Sequence, residues 1–191
     1  SSDLTEEAYE VDLIQDQIKV AMGETIHYEQ EKIVPRWAAI ECRINAEDVA
    51  KDFRPTPGTI TAIHTPGGPG VRIDKAVYAG YTIPPYYDSM IAKLIVRART
   101  RSEAVKKMRH CLDEFVIEGI PTTIGFHKEV FDHPDFASGN YDTGFLERAF
   151  PKAKAGTAEK KSVTLGRNGE AKAGEGDPVT TPATTETVTE M

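Results

Sequence analysis

Cysteine is scarce. Cys42 and Cys111 lie far apart and form no CxxC pair, which excludes a disulfide framework and a zinc knuckle and fits a reducing, cytoplasmic compartment. Long apolar runs are missing as well: IAKLIV (91–96) is short and broken by Lys93, so no membrane partner is expected. No Lys/Arg cluster is interleaved with aromatics and the formal net charge is −7, so nucleic acid is not an expected partner either. The start, SSDLTEEAYE, lacks the basic-then-apolar order of a secretion signal. The glycines of GGPG (67–70) are not followed by the lysine and helix of a phosphate loop, and they predict a turn. His27, His64, His110, His127 and His133 form no close ligand pair and no triad-like arrangement, so no metal site is predicted. Beyond Phe150 aromatics vanish and Ala, Lys, Glu, Gly and Thr dominate. Such a composition cannot offset its chain entropy by burial, and 151–191 is expected to be a disordered tail or linker.

What remains can build one core: 39% of the residues are apolar. Ala8, Val11, Ile14, Ile18 and Met22 recur at spacings of three and four, predicting one amphipathic helix over 5–22 that ends near Gly23. AAIECRINAED alternates, with Ile40, Cys42 and Ile44 on one face and Glu41, Arg43 and Asn45 on the other, as a half-buried strand does. Short strands are predicted over 59–64 and 71–77 as antiparallel neighbours across the TPGGPG turn. Thr100 and Glu103 make a capping box, and Ala104, Val105, Met108, Leu112, Phe115 and Val116 draw an apolar helix face running to a C-cap at Gly119. Pro121 opens a further helix, and YDTGFLERAF (141–150) closes the packed region. The fold class is α+β: a small antiparallel sheet packed with helices.

Four positions carry candidate chemistry. Arg43 offers five fixed donors that could grip an oxyanion; on spacing alone, an ion pair with Glu41, Glu47 or Asp48 is the favoured alternative. Asp88, after two tyrosines, could orient an arginine or accept from a ligand N–H, and an N-cap is an equally good reading. Tyr86 and Tyr87 read first as core or rim packing.

IECRINAED (40–48), RPTPGTIT (54–61), GVRID (70–74), YAGYTIPPYYDSMIAKLI (78–95) and EGIPTTIGFH (118–127) occur in this order. Together they resemble the C-terminal domain of biotin carboxylase, the ATP-dependent component of acetyl-CoA, propionyl-CoA and pyruvate carboxylases. LTEEAYEVDLIQDQIKVAMGE (4–24) resembles the helix that follows the family's catalytic glutamate-arginine segment, so 1–35 is expected to be the terminal helix of an ATP-grasp domain and 36–150 the C-terminal domain. The chain departs from the family at Trp37-Ala38-Ala39, where Gly-His-Ala is common, and at Ala92, where glycine is usual.

The resemblance implies that Arg43 steadies the enolate-like oxygen of biotin when its ureido nitrogen loses a proton, with Asp88 and Tyr87 supporting the biotin pocket and Arg72 at a subunit interface. It also implies that ATP, bicarbonate and magnesium are held mainly by ATP-grasp domains whose lysines, glycine-rich loop and glutamates this sequence lacks. Biotin would arrive as a substrate on a carrier domain. The implied partners are that carrier, the ATP-grasp portion, a carboxyltransferase subunit and a second copy in a homodimer. Alone, the chain is expected to be inactive. The alternative is a non-catalytic docking or dimerisation module of a biotin-dependent carboxylase.

Overall fold

One helix is predicted over 5–22, but the computed structural model, which describes residues 2–151, has two: α1 (Ser2–Tyr9) and α2 (Leu13–Ala21). The break is held by side chains. Glu10 turns left-handed, with φ 58°, while its carboxylate accepts from Arg36 Nη1 at 2.8 Å and Trp37 Nε1 at 2.7 Å. Asp12 then caps α2 by accepting from Gln15 N at 2.8 Å. Along α2 the apolar residues Ile14, Ile18, Val20 and Met22 are 51–71% exposed, so the amphipathic stripe exists but is uncovered among the described residues.

The strands follow as β1 (Ala38–Asn45), β2 (Glu47–Asp48), β3 (Arg54–Pro55), β4 (Gly58–Thr59), β5 (Ala62–His64), β6 (Val71–Lys75), β7 (Thr82–Ile83) and β8 (Met90–Ala98). Next come α3 (Arg101–Glu114), β9 (Val116–Glu118), α4 (Ile124–Asp132), α5 (Pro134–Ser138) and α6 (Phe145–Ala149). β8 is the centre of an antiparallel sheet ordered β1-β8-β6; β2-β3, β4-β7 and β5-β9 are two-stranded pairs. The segments on either side of TPGGPG are therefore not neighbours: β5 pairs with β9, and β6 with β8. The apolar run IAKLIV lies in β8, which pairs with β6 and not with β5.

Register gives the central sheet two unlike faces. Ile40, Cys42 and Ile44 stand opposite Val96, Leu94 and Ala92, with Val71 and Ile73 beyond them, and this face buries against Ala104, Met108, Cys111 and Leu112 of α3. Each fully buried Leu or Met contributes roughly 1.5–3 kcal/mol by leaving water. The other face carries Glu41, Arg43, Lys93, Arg97, Arg72 and Asp74, and α1 lies across it.

α3 begins as predicted, with Thr100 Oγ1 accepting from Glu103 N at 3.2 Å, though the Glu103 carboxylate reaches back to Arg99 N at 3.1 Å. It ends at Glu114, five residues before the predicted cap. Gly119 serves another need: at φ 97° it follows β9, and a Cβ there would stand 2.3 Å from Thr59 O. α4 starts three residues later than Pro121. The closing segment is packed, with Phe145 buried against His133 and Phe150 at ring distances of 5.0 and 6.1 Å. Among the described residues no helix is long and apolar enough to cross a membrane. Apart from Pro151, the tail expected over 151–191 lies outside the described residues.

Candidate functional site

Arg43 projects from β1, the edge strand of the central sheet, on the charged face. Its side chain is 63% exposed, yet its Nε donates at 3.3 Å to Glu41, whose own side chain is only 7% exposed. A carboxylate taken that far out of water needs a cation beside it. Gripped through Nε, the guanidinium keeps both Nη groups without a hydrogen bond among the described residues, and those form the fork that suits an oxyanion. Glu41 is thus the partner that spacing favoured, and the ion pair leaves the arginine's recognition edge open. The same buried carboxylate adds to burial in pushing the thiol of Cys42 up to about 12, so this neighbour of Arg43 is an inert packing group.

Beside Arg43 a small polar network ties the end of β1 to the start of β8. Ser89 Oγ donates to Glu47 Oε1 at 2.5 Å and Asn45 Nδ2 donates to the same oxygen at 3.1 Å. Asp88 is exposed and accepts from Met90 N at 3.0 Å, the capping role weighed above. Among the described residues it makes no ion pair with Arg43; the carboxylate that does is Glu41. Tyr87 is 81% exposed, so it is not core packing, and it lines a cavity of about 260 Å³ with Ala46, Arg54, Thr56, Pro84, Pro85 and Ser89. A larger hollow of about 610 Å³ sits at the Arg97 end of β8, away from Arg43.

Arg72 is tied within its own chain. Nε and Nη2 donate to the two carboxylate oxygens of Asp74 at 3.1 and 3.0 Å, and Asp3, Glu6 and Glu7 of α1 lie at 3.7 Å. Asp74 foremost, then the α1 acids, raise its pKa further. Lys93 binds Asp3, and Arg97 lies near Glu7 and Glu10. Trp37 belongs to the same fastening: its backbone N–H reaches Ala8 O at 3.2 Å and its ring lies 5.3 Å from the Arg97 guanidinium carbon, so the departure at 37 strengthens the edge where α1 meets β1. Ala92 is buried in regular strand opposite Ile44, without a glycine conformation.

Two contacts of Arg43 escaped the sequence reading. Thr123 Oγ1 donates to Arg43 O at 3.2 Å and His127 Nε2 lies 2.8 Å from the same oxygen. Burial holds the His127 pKa below its ordinary value. The sequence signal was present in the polar residues of EGIPTTIGFH, but nothing local says what they face.

Comparison with known proteins bears on the family and the fold. The profile of the biotin carboxylase C-terminal domain matches residues 41–148. Biotin carboxylase 2 of Populus trichocarpa, described as chloroplastic, is 51% identical over 85% of this chain and 30% of its own length. Biotin carboxylase 1 of Bacillus subtilis is 54% identical over 75% of this chain and 32% of its own length. Among solved structures, the Hydrogenobacter thermophilus 2-oxoglutarate carboxylase biotin carboxylase domain dimer, in complex with MgADP, ADP and bicarbonate, superposes with a TM-score of 0.75. It is 44% identical, over 76% of this chain and 32% of that one. The chain thus spans about a third of the length of these relatives.

Proposed function

The chain belongs to the biotin carboxylase C-terminal domain family, and on that footing we propose that it supplies the arginine of a carboxyl-transfer site. The observation that carries this is the exposed Arg43 guanidinium, steered through Nε by the buried carboxylate of Glu41 with its fork left open. When the ureido nitrogen of biotin loses its proton and takes the carboxyl group, negative charge gathers on the ureido oxygen. A cation fixed in advance at that oxygen lowers the barrier. Tyr87 and the Pro84-Pro85 rim shape the neighbouring cavity, and Asp88 fixes the start of β8 and so the wall beside it.

Among the described residues no group of His, Cys, Asp or Glu converges as a metal shell requires. Magnesium, ATP and bicarbonate fall mainly to an ATP-grasp portion, such as the other two thirds of the relatives' length would supply, and the carboxylated biotin to a carrier domain. The uncovered stripe of α2 is a surface such a portion could bury. That stripe also supports the second reading, a docking module without chemistry, in which α2 binds a carboxylase partner. The face around Arg72 stands as the subunit interface of a homodimer only if a partner can share it with α1, and the two free, buried cysteines fit a reducing compartment such as the cytoplasm.

The test is ATP hydrolysis that needs both bicarbonate and free biotin. It is measured for the chain alone and for the chain mixed with the separately made ATP-grasp portion of the Bacillus subtilis enzyme. The expected outcome is no turnover alone, turnover in the mixture, and loss of at least about a hundredfold with Arg43→Ala, the scale of removing one preorganised donor. A mixture that associates yet never turns over would leave the docking module as the better account.

A further inference from the structure

β1 pairs with β8 along one side only, and an edge strand leaves its outward N–H and C=O groups in need of partners. At Arg43 those groups are met by the start of α4. Arg43 O accepts from Thr123 Oγ1 at 3.2 Å and from His127 Nε2 at 2.8 Å. Two residues on, Asn45 N donates to Thr123 Oγ1 at 3.0 Å, and Thr123 N donates to Asn45 O at 3.1 Å. A threonine hydroxyl has one proton and two lone pairs, and that of Thr123, only 5% exposed, acts both ways: it gives to Arg43 and takes from Asn45. A carbonyl can only accept, which fixes the His127 proton on Nε2; burial favours the neutral ring.

The ladder to β8 shifts its register just beyond Arg43. Arg43 stands opposite Lys93 and Ile44 opposite Ala92, but Asn45 stands opposite Met90, with a bulge between Ile44 and Asn45. The extra residue, Ile91, lies in β8, and pairing resumes beyond it, with Ala46 N donating to Ser89 O at 2.8 Å. A bulge re-aims the side chains next to it, and the start of α4 braces the outer edge of β1 where it falls.

We infer that Thr123 and His127 are positioning residues for Arg43, holding its backbone from the outer edge of β1 while Glu41 holds its side chain. Neither touches the reacting atoms. This rests on the reading of Arg43 as the carboxyl-transfer arginine, and it gives the EGIPTTIGFH stretch a task that packing alone would not require: moving α4 moves the guanidinium.

Two measurements test it. The first is made on the chain by itself, as ¹⁵N spectra of the Arg43 Nε–H and exchange of the Asn45 amide. Thr123→Val and His127→Leu are expected to shift the Arg43 Nε–H signal, and Thr123→Val to speed Asn45 exchange about tenfold or more, an open amide replacing a bonded one. Exchange at Leu94 and Leu112 stays slow, which shows that the core is intact. Thr123→Ser and His127→Gln, which keep the donors, restore the wild-type signals. The second is turnover in the mixture with the ATP-grasp portion: Thr123→Val and His127→Leu lower kcat about tenfold while leaving the KM for ATP within about twofold, as misplacement of a catalytic group does. An unchanged Arg43 signal and unchanged kcat in both variants would overturn the inference, and so would equal losses in the conservative pair. If Arg43→Ala leaves turnover intact, the catalytic reading falls while the Nε–H spectrum still reports whether α4 sets the arginine.

Discussion

The two faces of the β1-β8-β6 sheet solve opposite problems with the same backbone. Toward α3 the alternate positions are Cys42, Ile44, Leu94 and Val96, all buried, and attraction there needs no direction. Toward α1 the intervening positions are, around the buried Ile95, Glu41, Arg43, Lys93, Arg97 and Arg72, these five each with a carboxylate or a guanidinium partner, and much of the attraction there depends on geometry, charge state and salt. The first face makes the sheet stable; the second makes it specific. Because strand side chains alternate strictly, one β8 serves both, and Arg43 rests on a rigid apolar layer without being buried in it. Rigid support beneath an exposed functional group is what a preorganised site requires.

The comparison can be broken most severely from the apolar side. Leu112→Ala empties a fully buried position of α3 and is expected to lower stability by about 3–5 kcal/mol in urea unfolding, since the surroundings of a core leucine relax only partly. A loss below about 1 kcal/mol would mean that α3 is not the main support of the sheet. From the charged side the effect should be smaller. Lys93→Met removes the partner of Asp3, but the lysine side chain is 25% exposed and Asp3 also has Arg72 nearby. A loss of about 1 kcal/mol is expected, shrinking in 1 M salt to the extent that this partly buried pair is screened. An effect matching that of Leu112→Ala, or one insensitive to salt, would erase the distinction between the faces.

How much of this was legible follows the range of the forces. The alternation of 40–45 and the capping box at Thr100 are local, and β1 stands and α3 begins where they predict, although the apolar face expected to run to Gly119 stops at Glu114. Glu41 as the partner of Arg43 was within reach because strand residues two apart share a face. β8 was harder: Lys93 and Arg97, four apart inside an apolar run, suit either a helix face or a strand face, and only pairing on both sides decides. The break at Glu10 could not be read, since its cause lies in Arg36 and Trp37 beyond the whole of α2. Thr123 and His127 were out of reach for the same reason, facing Arg43 across 80 and 84 residues of chain. Gly119 announced a left-handed residue correctly but not its setting, because a glycine that ends a helix and one that lets two strands approach look alike in sequence.

The smallest effect, and the one that separates the faces most cleanly, is on acid. The hydrogen bond from Lys93, and then the charges of Lys93 and Arg72, hold the Asp3 carboxyl below its ordinary range against the opposing effect of burial. Trp37 and then Arg36 do the same for Glu10. A carboxyl whose folded pKa is depressed stabilises the fold above its unfolded value and loses that contribution as pH falls through the folded one. The attachment of α1 should therefore be constant from about pH 7 to pH 5 and weaken below about pH 4, the range of unperturbed carboxyls. The α3 side, held by uncharged groups, has no such reason to yield. Trp37, the lone tryptophan, reports directly because its indole is bound by Glu10 at the α1 junction. On acid titration its emission should change at a higher pH than the far-ultraviolet signal of the helices. Coincident transitions would mean that the charged face and the apolar face come apart as one, and that α1 is bound to the sheet by more than its acids.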